Sequence, residues 1–174
     1  MWVEIPTLSY SADTTIYMQY GSSTISSSEE NVAGVWDDGY AMVYHLGEPV
    51  GTTGAGSVTD STGNTSGTPT SGLVYESTGK AGTGIDFSSG TGISAGSIGD
   101  PILTASTTIS FWANVSDIAT PGRQNPFDQA YGGWGTMTLE TSGRLSWYFG
   151  NNGGNGASYA NHYANSMVVN STWV

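Results

Sequence analysis

Cysteine is absent from the 174 residues, which removes disulfide frameworks, thiolate zinc sites and cysteine nucleophiles together. Positive charge is nearly absent too: Lys80, Arg123 and Arg144 face 14 acidic residues, for a net charge of -11. So few cations cannot neutralise a run of phosphates and release their counterions, so nucleic acid is excluded as a partner. An anionic membrane surface would repel the chain. Charged residues make up 10% of the sequence, against about 25% in ordinary soluble domains. No apolar run reaches the roughly 18 residues needed to span a bilayer, and residues 1–20 lack the basic start and apolar middle of a secretory signal. Helical periodicity is also missing, because no stretch repeats apolar residues at i, i+3, i+4 and i+7 with good helix formers between them.

What remains is glycine, hydroxyl and aromatic rings: 26 Gly, 24 Ser, 22 Thr, 6 Trp and 10 Tyr, with hydrophobic residues at 37%. That much large apolar surface is incompatible with a disordered chain, and β-branched and aromatic runs predict strands. Trp2–Ile5 and Thr14–Tyr20 read as short strands ended by Pro6 and Gly21, and Ser22–Asn31, with five Ser, as a linker or long loop. A turn at Asp38–Gly39 precedes a strand over Tyr40–Leu46 whose two faces are both largely apolar, as in the middle of a covered sheet. Gly47–Asp100 holds 14 Gly, interrupted by the islands Leu73–Tyr75 and Ile85–Phe87, which are expected to pair, with turns at Thr62–Asn64 and Ser89–Gly90. Thr107–Val115 alternates most clearly, with Ile109, Phe111, Ala113 and Val115 toward a core. Trp134–Leu139 and Arg144–Phe149 flank Thr141-Ser142-Gly143, a hairpin connection with Gly in the left-handed position. Asn151–Asn161 reads as a loop, and Trp173–Val174 as the start of a strand.

The order Val35-Trp36-Asp37-Asp38-Gly39-Tyr40-Ala41-Met42-Val43-Tyr44-His45-Leu46, then Asp60-Ser61-Thr62-Gly63-Asn64, Gly79-Lys80-Ala81-Gly82-Thr83-Gly84-Ile85-Asp86-Phe87 and Ile109-Ser110-Phe111-Trp112-Ala113 resembles the laminin-G-like, concanavalin A-like jelly-roll domains of surface proteins. The stretch from Trp2 to Gly21 resembles the end of a β-rich domain of unknown function that commonly precedes them. The resemblance implies an all-β, antiparallel jelly-roll sandwich over residues 35–174, incomplete at its C-terminal strands, after a Ser-rich linker at 26–34 and the tail of an upstream β domain at 1–25. It further implies an extracellular, cell-surface or virion-surface location, a glycan or cell-surface ligand and, as in many of its members, a calcium ion near the binding edge. Asp60 and Asn64 are the candidate calcium ligands, hard oxygen donors being what that ion takes; the same five residues equally form a turn that bonds its own backbone.

Chemistry is sparser than fold. Glycoside hydrolysis needs two carboxylates facing one sugar, and no such pair stands out: Asp37 and Asp38 are consecutive, and Glu76 and Glu140 stand alone. Neither His45 nor His162 has the Ser and Asp company of a triad. The chain is therefore expected not to be an enzyme. Sugar binding would use aromatic faces beside polar loop groups, for which Tyr131, Trp134, Tyr159 and Tyr163 are the candidates. Two functions follow: a non-catalytic adhesion module for glycans or cell surfaces, or a structural subunit of a filament, surface layer or phage fibre, a homo-oligomer or a chain completed by a partner's strand.

Overall fold

The computed structural model describes residues 2–88, 90–96, 106–120, 122–128, 135–149 and 160–174. Among them the architecture is antiparallel β with a single turn of helix. Strand β1 (Thr68–Pro69) pairs with β4 (Ile93–Ser94), and β2 (Val74–Thr78) with β3 (Thr83–Asp86). The strands β5 (Gln124–Asp128), β6 (Thr136–Leu139), β7 (Arg144–Phe149) and β8 (Ala160–Met167) form a four-stranded sheet in that order. The two apolar islands of the Gly-rich region do pair, Val74 opposite Asp86, with a register shift between Val74 and Ser77 where Glu76 takes a positive φ of 56°.

The hairpin between β6 and β7 closes as its spacing predicts. Gly143 donates to the Glu140 carbonyl at 2.8 Å and Glu140 to the Arg144 carbonyl at 2.9 Å, with Gly143 at φ 82° and buried. A side chain there would meet the left-handed penalty of about 1–2 kcal/mol. Gly143→Ala is accordingly expected to lower stability by about that amount in a urea titration, and an unchanged midpoint would contradict this account of the turn.

Register sorts the large sheet into two chemically different faces. Thr138, Ser146 and Tyr163 lie opposite one another, as do Thr136 and Tyr148, so these hydroxyls share one face. Met137 lies beside Phe127 and Trp147, and Leu139 beside Leu145, on the other. Phe127 and Trp147 stack at 6.3 Å across the Met137 position. Among the described residues, Leu139, Val58 and Val168 are the buried hydrophobic ones, while Thr136, Thr138 and Ser146 are buried polar ones. The hydroxyl face is tied across strands: Thr136 donates to Asp128 Oδ1 and Thr138 to Asn125 Oδ1, both at 2.9 Å. Both of these buried hydroxyls thus find an acceptor, without which each would be strongly destabilising.

Four expected strands take other forms. Tyr40–Leu46 contributes only an isolated bridge, Tyr44 with Asp60, and its two faces are not both covered, since Tyr40 and His45 are exposed. The cause is local: the Val43 amide donates to the Asp60 carboxylate at 2.8 Å, so a side chain stands where a neighbouring strand would, and Leu46 turns left-handed at φ 57°. Thr107–Val115 is likewise reduced to the bridge of Asn114 with Trp173, although Ala113 and Val174 exchange two backbone bonds of 2.9 Å. Ile109, Ala113 and Val115 are half-buried on the expected inner face; Phe111 is exposed. Trp2–Ile5 and Thr14–Tyr20 form no strand, and Trp2, Val3, Ile5, Ile16, Tyr17, Met18 and Tyr20 are exposed. A strand without a hydrogen-bonding neighbour has nothing to hold it extended. A one-turn helix, α1 (Val32–Val35), closes the Ser-rich stretch, with the Asn31 side chain accepting from the Gly34 amide at 3.0 Å. The expected loop at 151–161 yields Ala160 and Asn161 to β8; residues 151–159 lie outside the described ones, as does Ser89 of the second expected turn.

Candidate functional site

An Asp-Asp-Gly turn places four rings together. The Asp37 side chain accepts from the Gly39 amide at 2.9 Å and Tyr40 N donates to the Asp37 carbonyl at 3.0 Å, folding the chain so that Trp36 and Tyr40 meet edge to face at 5.1 Å. His45 comes within 5.6 Å of the Trp36 ring, and Trp2 stacks on His45 at 5.1 Å with an interplanar angle of 19°. Trp2 also lies 5.5 Å from Trp36. Trp36 is half-buried and is the hub; Trp2, Tyr40 and His45 are exposed. Exposed rings in mutual contact make a contiguous aromatic surface, the feature that marks a contact site on a protein exterior.

Beside this cluster lies an open depression of about 400 Å³, lined by Val32, Ala33, Trp36, Asp37, Asp38 and the loop Asp60–Asn64. Trp36 belongs to both. The far wall is set by Asp60, 4% exposed, whose Oδ1 accepts from the amides of Val43 (2.8 Å) and Thr62 (3.0 Å) and whose Oδ2 accepts from the Thr62 hydroxyl (2.7 Å) and the Thr65 amide (2.9 Å). Burial alone would raise this carboxyl, but the four donors outweigh it and hold it below the ordinary aspartate value.

The expected calcium ligands are thereby placed. Asp60 and Asn64 line the same depression, but both Asp60 oxygens are already engaged by protein donors, and the Asn64 amide nitrogen points back to the Ala41 carbonyl at 3.5 Å. No group of three or more His, Cys, Asp or Glu able to hold a metal occurs among the described residues. This donor set fits a self-bonded turn, the second reading of those five residues, and does not fit a calcium centre.

Of the four aromatic candidates read from the sequence, Tyr131, Trp134 and Tyr159 lie outside the described residues. Tyr163 is half-exposed on β8 and joins a network on the hydroxyl face of the sheet. Glu140 Oε1 accepts from the Ser146 and Tyr148 hydroxyls, each at 2.6 Å, and Glu140 Oε2 pairs with Arg123 Nε at 3.0 Å. Arg123 also lies over the Tyr148 ring, 4.8 Å from its centre. A hydrogen bond also joins the Tyr148 and Tyr163 hydroxyls. Burial favours the neutral Glu140, yet the Ser146 and Tyr148 hydroxyls and the Arg123 cation hold its carboxyl below the usual glutamate value. Burial, reinforced by donation to Glu140, pushes the Tyr148 hydroxyl up to about 12.

These shifts give stability a dependence on pH at both ends. Asp60 and Glu140 are depressed in the fold, so their contribution is complete above the unfolded values near 4 and is lost as pH falls through the folded ones. Tyr148 is raised, so its contribution is complete below about 10 and is lost as pH climbs toward 12. Urea midpoints are expected to be flat between these limits, to fall below about pH 4.5, and to fall again above about pH 10; a midpoint unchanged down to pH 3 would contradict the carboxylate assignments.

The cluster that Trp36 and His45 form with Trp2 and Tyr40 was not legible in the sequence, where His45 showed only that it lacks the company of a triad. Its local signal is Trp36-Asp37-Asp38-Gly39-Tyr40, two aromatics flanking a turn that must bring them together. Comparison with protein-family models, with curated proteins and with solved structures finds no match to this chain. No helix among the described residues is long and apolar enough to cross a membrane.

Proposed function

We propose that this chain is a non-catalytic module of a jelly-roll β-sandwich, concanavalin A-like in architecture, that binds glycans at a cell, secreted or virion surface. The observation that carries the reading is the exposed aromatic cluster of Trp2, Trp36, Tyr40 and His45 at the lip of a polar depression. A pyranose packs its C–H face on such rings while its hydroxyls take polar partners, here the carboxylate of Asp37 and the loop Ser61–Asn64. A buried and a half-buried carboxylate, Asp60 and Glu140, argue for binding over turnover. A glycosidase acid must hold its proton near neutral pH, whereas Asp60 and Glu140 are both depressed and satisfied by hydrogen bonds.

Trp36→Ala tests the reading. On a glycan array the parent chain is expected to retain a small set of oligosaccharides, and the variant to lose at least about tenfold in affinity for them, a stacked ring contributing on the order of 1–2 kcal/mol. Equal retention by both would remove the cluster from the site; retention of nothing by the parent would remove the function.

One observation favours the structural reading as an alternative. Trp2, Leu8, Tyr10, Tyr17 and Tyr20 are each more than half exposed. Cover from a neighbouring chain would remove that surface from water, as in a filament or fibre subunit. Light scattering separates the two: a stable monomer of 18.0 kDa leaves the adhesion reading alone, and a concentration-dependent oligomer favours assembly.

A further inference from the structure

We infer that the depression beside Trp36 selects glycans bearing a protonated amine, of the glucosamine type, over neutral and acidic ones; the inference rests on the glycan-binding reading above. The cavity and the exposed rings mark the place, and the charge around them sets the preference. Three carboxylates line the depression, Asp37, Asp38 and Asp60, and no lysine or arginine does. They are not equivalent. Asp60 is closed off by its four donors, and Asp37 gives one oxygen to the Gly39 amide. Asp38, exposed at the rim, has no hydrogen bond or ion pair among the described residues.

The cations of the chain cannot compensate. Arg123 is held by Glu140, Lys80 sits 5.2 Å over the Trp112 ring, and Arg144 opens β7. A sulfated, sialylated or uronic glycan would therefore bring negative charge to an uncompensated negative wall, which is how a site rejects the wrong ligand. A neutral sugar could stack on Trp36 but would leave the Asp38 carboxylate unused. An amino sugar uses both: its ring face lies on the indole, its ammonium pairs with Asp38, and the indole face itself attracts a cation. At about 400 Å³ the space is within the range of small-ligand sites, about 300–1,000 Å³.

Calorimetric titration of the full chain with two tetrasaccharides of one backbone decides it: fully deacetylated chitosan tetraose and fully acetylated chitin tetraose, in slightly acidic, low-salt buffer. The amine form is expected to bind about fivefold more tightly or better, an advantage of the size of an exposed ion pair, and to lose that lead in high salt. Asp38→Asn, at an exposed position, is expected to bring the two affinities together while leaving the acetylated ligand unaffected. Equal binding of both ligands by the parent would overturn the amine preference and leave the glycan reading intact. A lead that survives Asp38→Asn would overturn its assignment to this depression, and binding of neither ligand by the parent would overturn it outright. In that last case, retention of other oligosaccharides through Trp36 on the array keeps the glycan reading.

Discussion

Asp60→Ala is expected to destabilise the chain by about 3 kcal/mol, seen as a lower urea midpoint at unchanged slope. The carboxylate is 4% exposed and accepts four hydrogen bonds, from Val43, from the Thr62 amide and hydroxyl, and from Thr65. Deleting it leaves the amides of Val43, Thr62 and Thr65 without an acceptor, and hydrogen bonds to a charged group are among the stronger ones, about 1.5–3 kcal/mol each before the loop relaxes. The effect must also reach the depression, because Asp60 ties the segment Met42–Tyr44 to the loop that forms the far wall. Asp60→Asn keeps one acceptor oxygen and turns an NH2 group toward the other donors, so it should lie between parent and alanine variant. A loss below about 1 kcal/mol for alanine would mean that water replaces the carboxylate without strain.

Leu139→Ala should lower stability by a similar amount, about 3 kcal/mol, for a different reason. Leu139 is 1% exposed on β6, opposite Gln124 of β5 and Leu145 of β7. Truncation removes its apolar contacts and leaves a cavity that strands paired on both sides cannot close. Val169→Ala, at a residue 59% exposed, is the matched comparison and should stay within about 0.5 kcal/mol. With so few large side chains fully buried among the described residues, the contrast between these positions reports directly whether the four-stranded sheet is the cooperative centre. Equal effects would place that centre elsewhere.

Elements whose information is local were legible in the sequence. The Thr141–Gly143 hairpin carries its own turn residue, and the islands at Leu73–Tyr75 and Ile85–Phe87 are close enough to find one another, so these pairings and the antiparallel β class could be read. Tyr40–Leu46 and Thr107–Val115 have the alternation of strands but not the neighbours, and alternation cannot report whether a partner exists. The Asp60 turn was foreseen as a turn. Its grip on Val43, 17 residues away, was not, since nothing in a local pattern says which distant amide a carboxylate will meet. The same holds for the site. Trp2 reaches His45 across a Ser-rich stretch without signature, and the company of Glu140 is drawn from Arg123 just before β5, from Ser146 and Tyr148 of β7 and, through Tyr148, from Tyr163 of β8. Glu140 read alone looked isolated because its partners are set by sheet register.

Arg123 and Arg144 lie within or beside the four-stranded sheet, and Lys80 caps the β2–β3 hairpin; the chain has no other basic residue. Residues 2–79, which include the exposed apolar segment and the whole aromatic cluster, therefore contain no bond that a trypsin-type protease recognises. Arg144, paired opposite Met167, must leave its strand before it can be cut. The segment that displays so many rings to solvent is thus silent to one large class of digestive enzymes, while proteases that cleave after aromatic residues would meet Tyr10, Tyr17 and Tyr20 first. Which enzymes share its surroundings would decide how long that aromatic face survives.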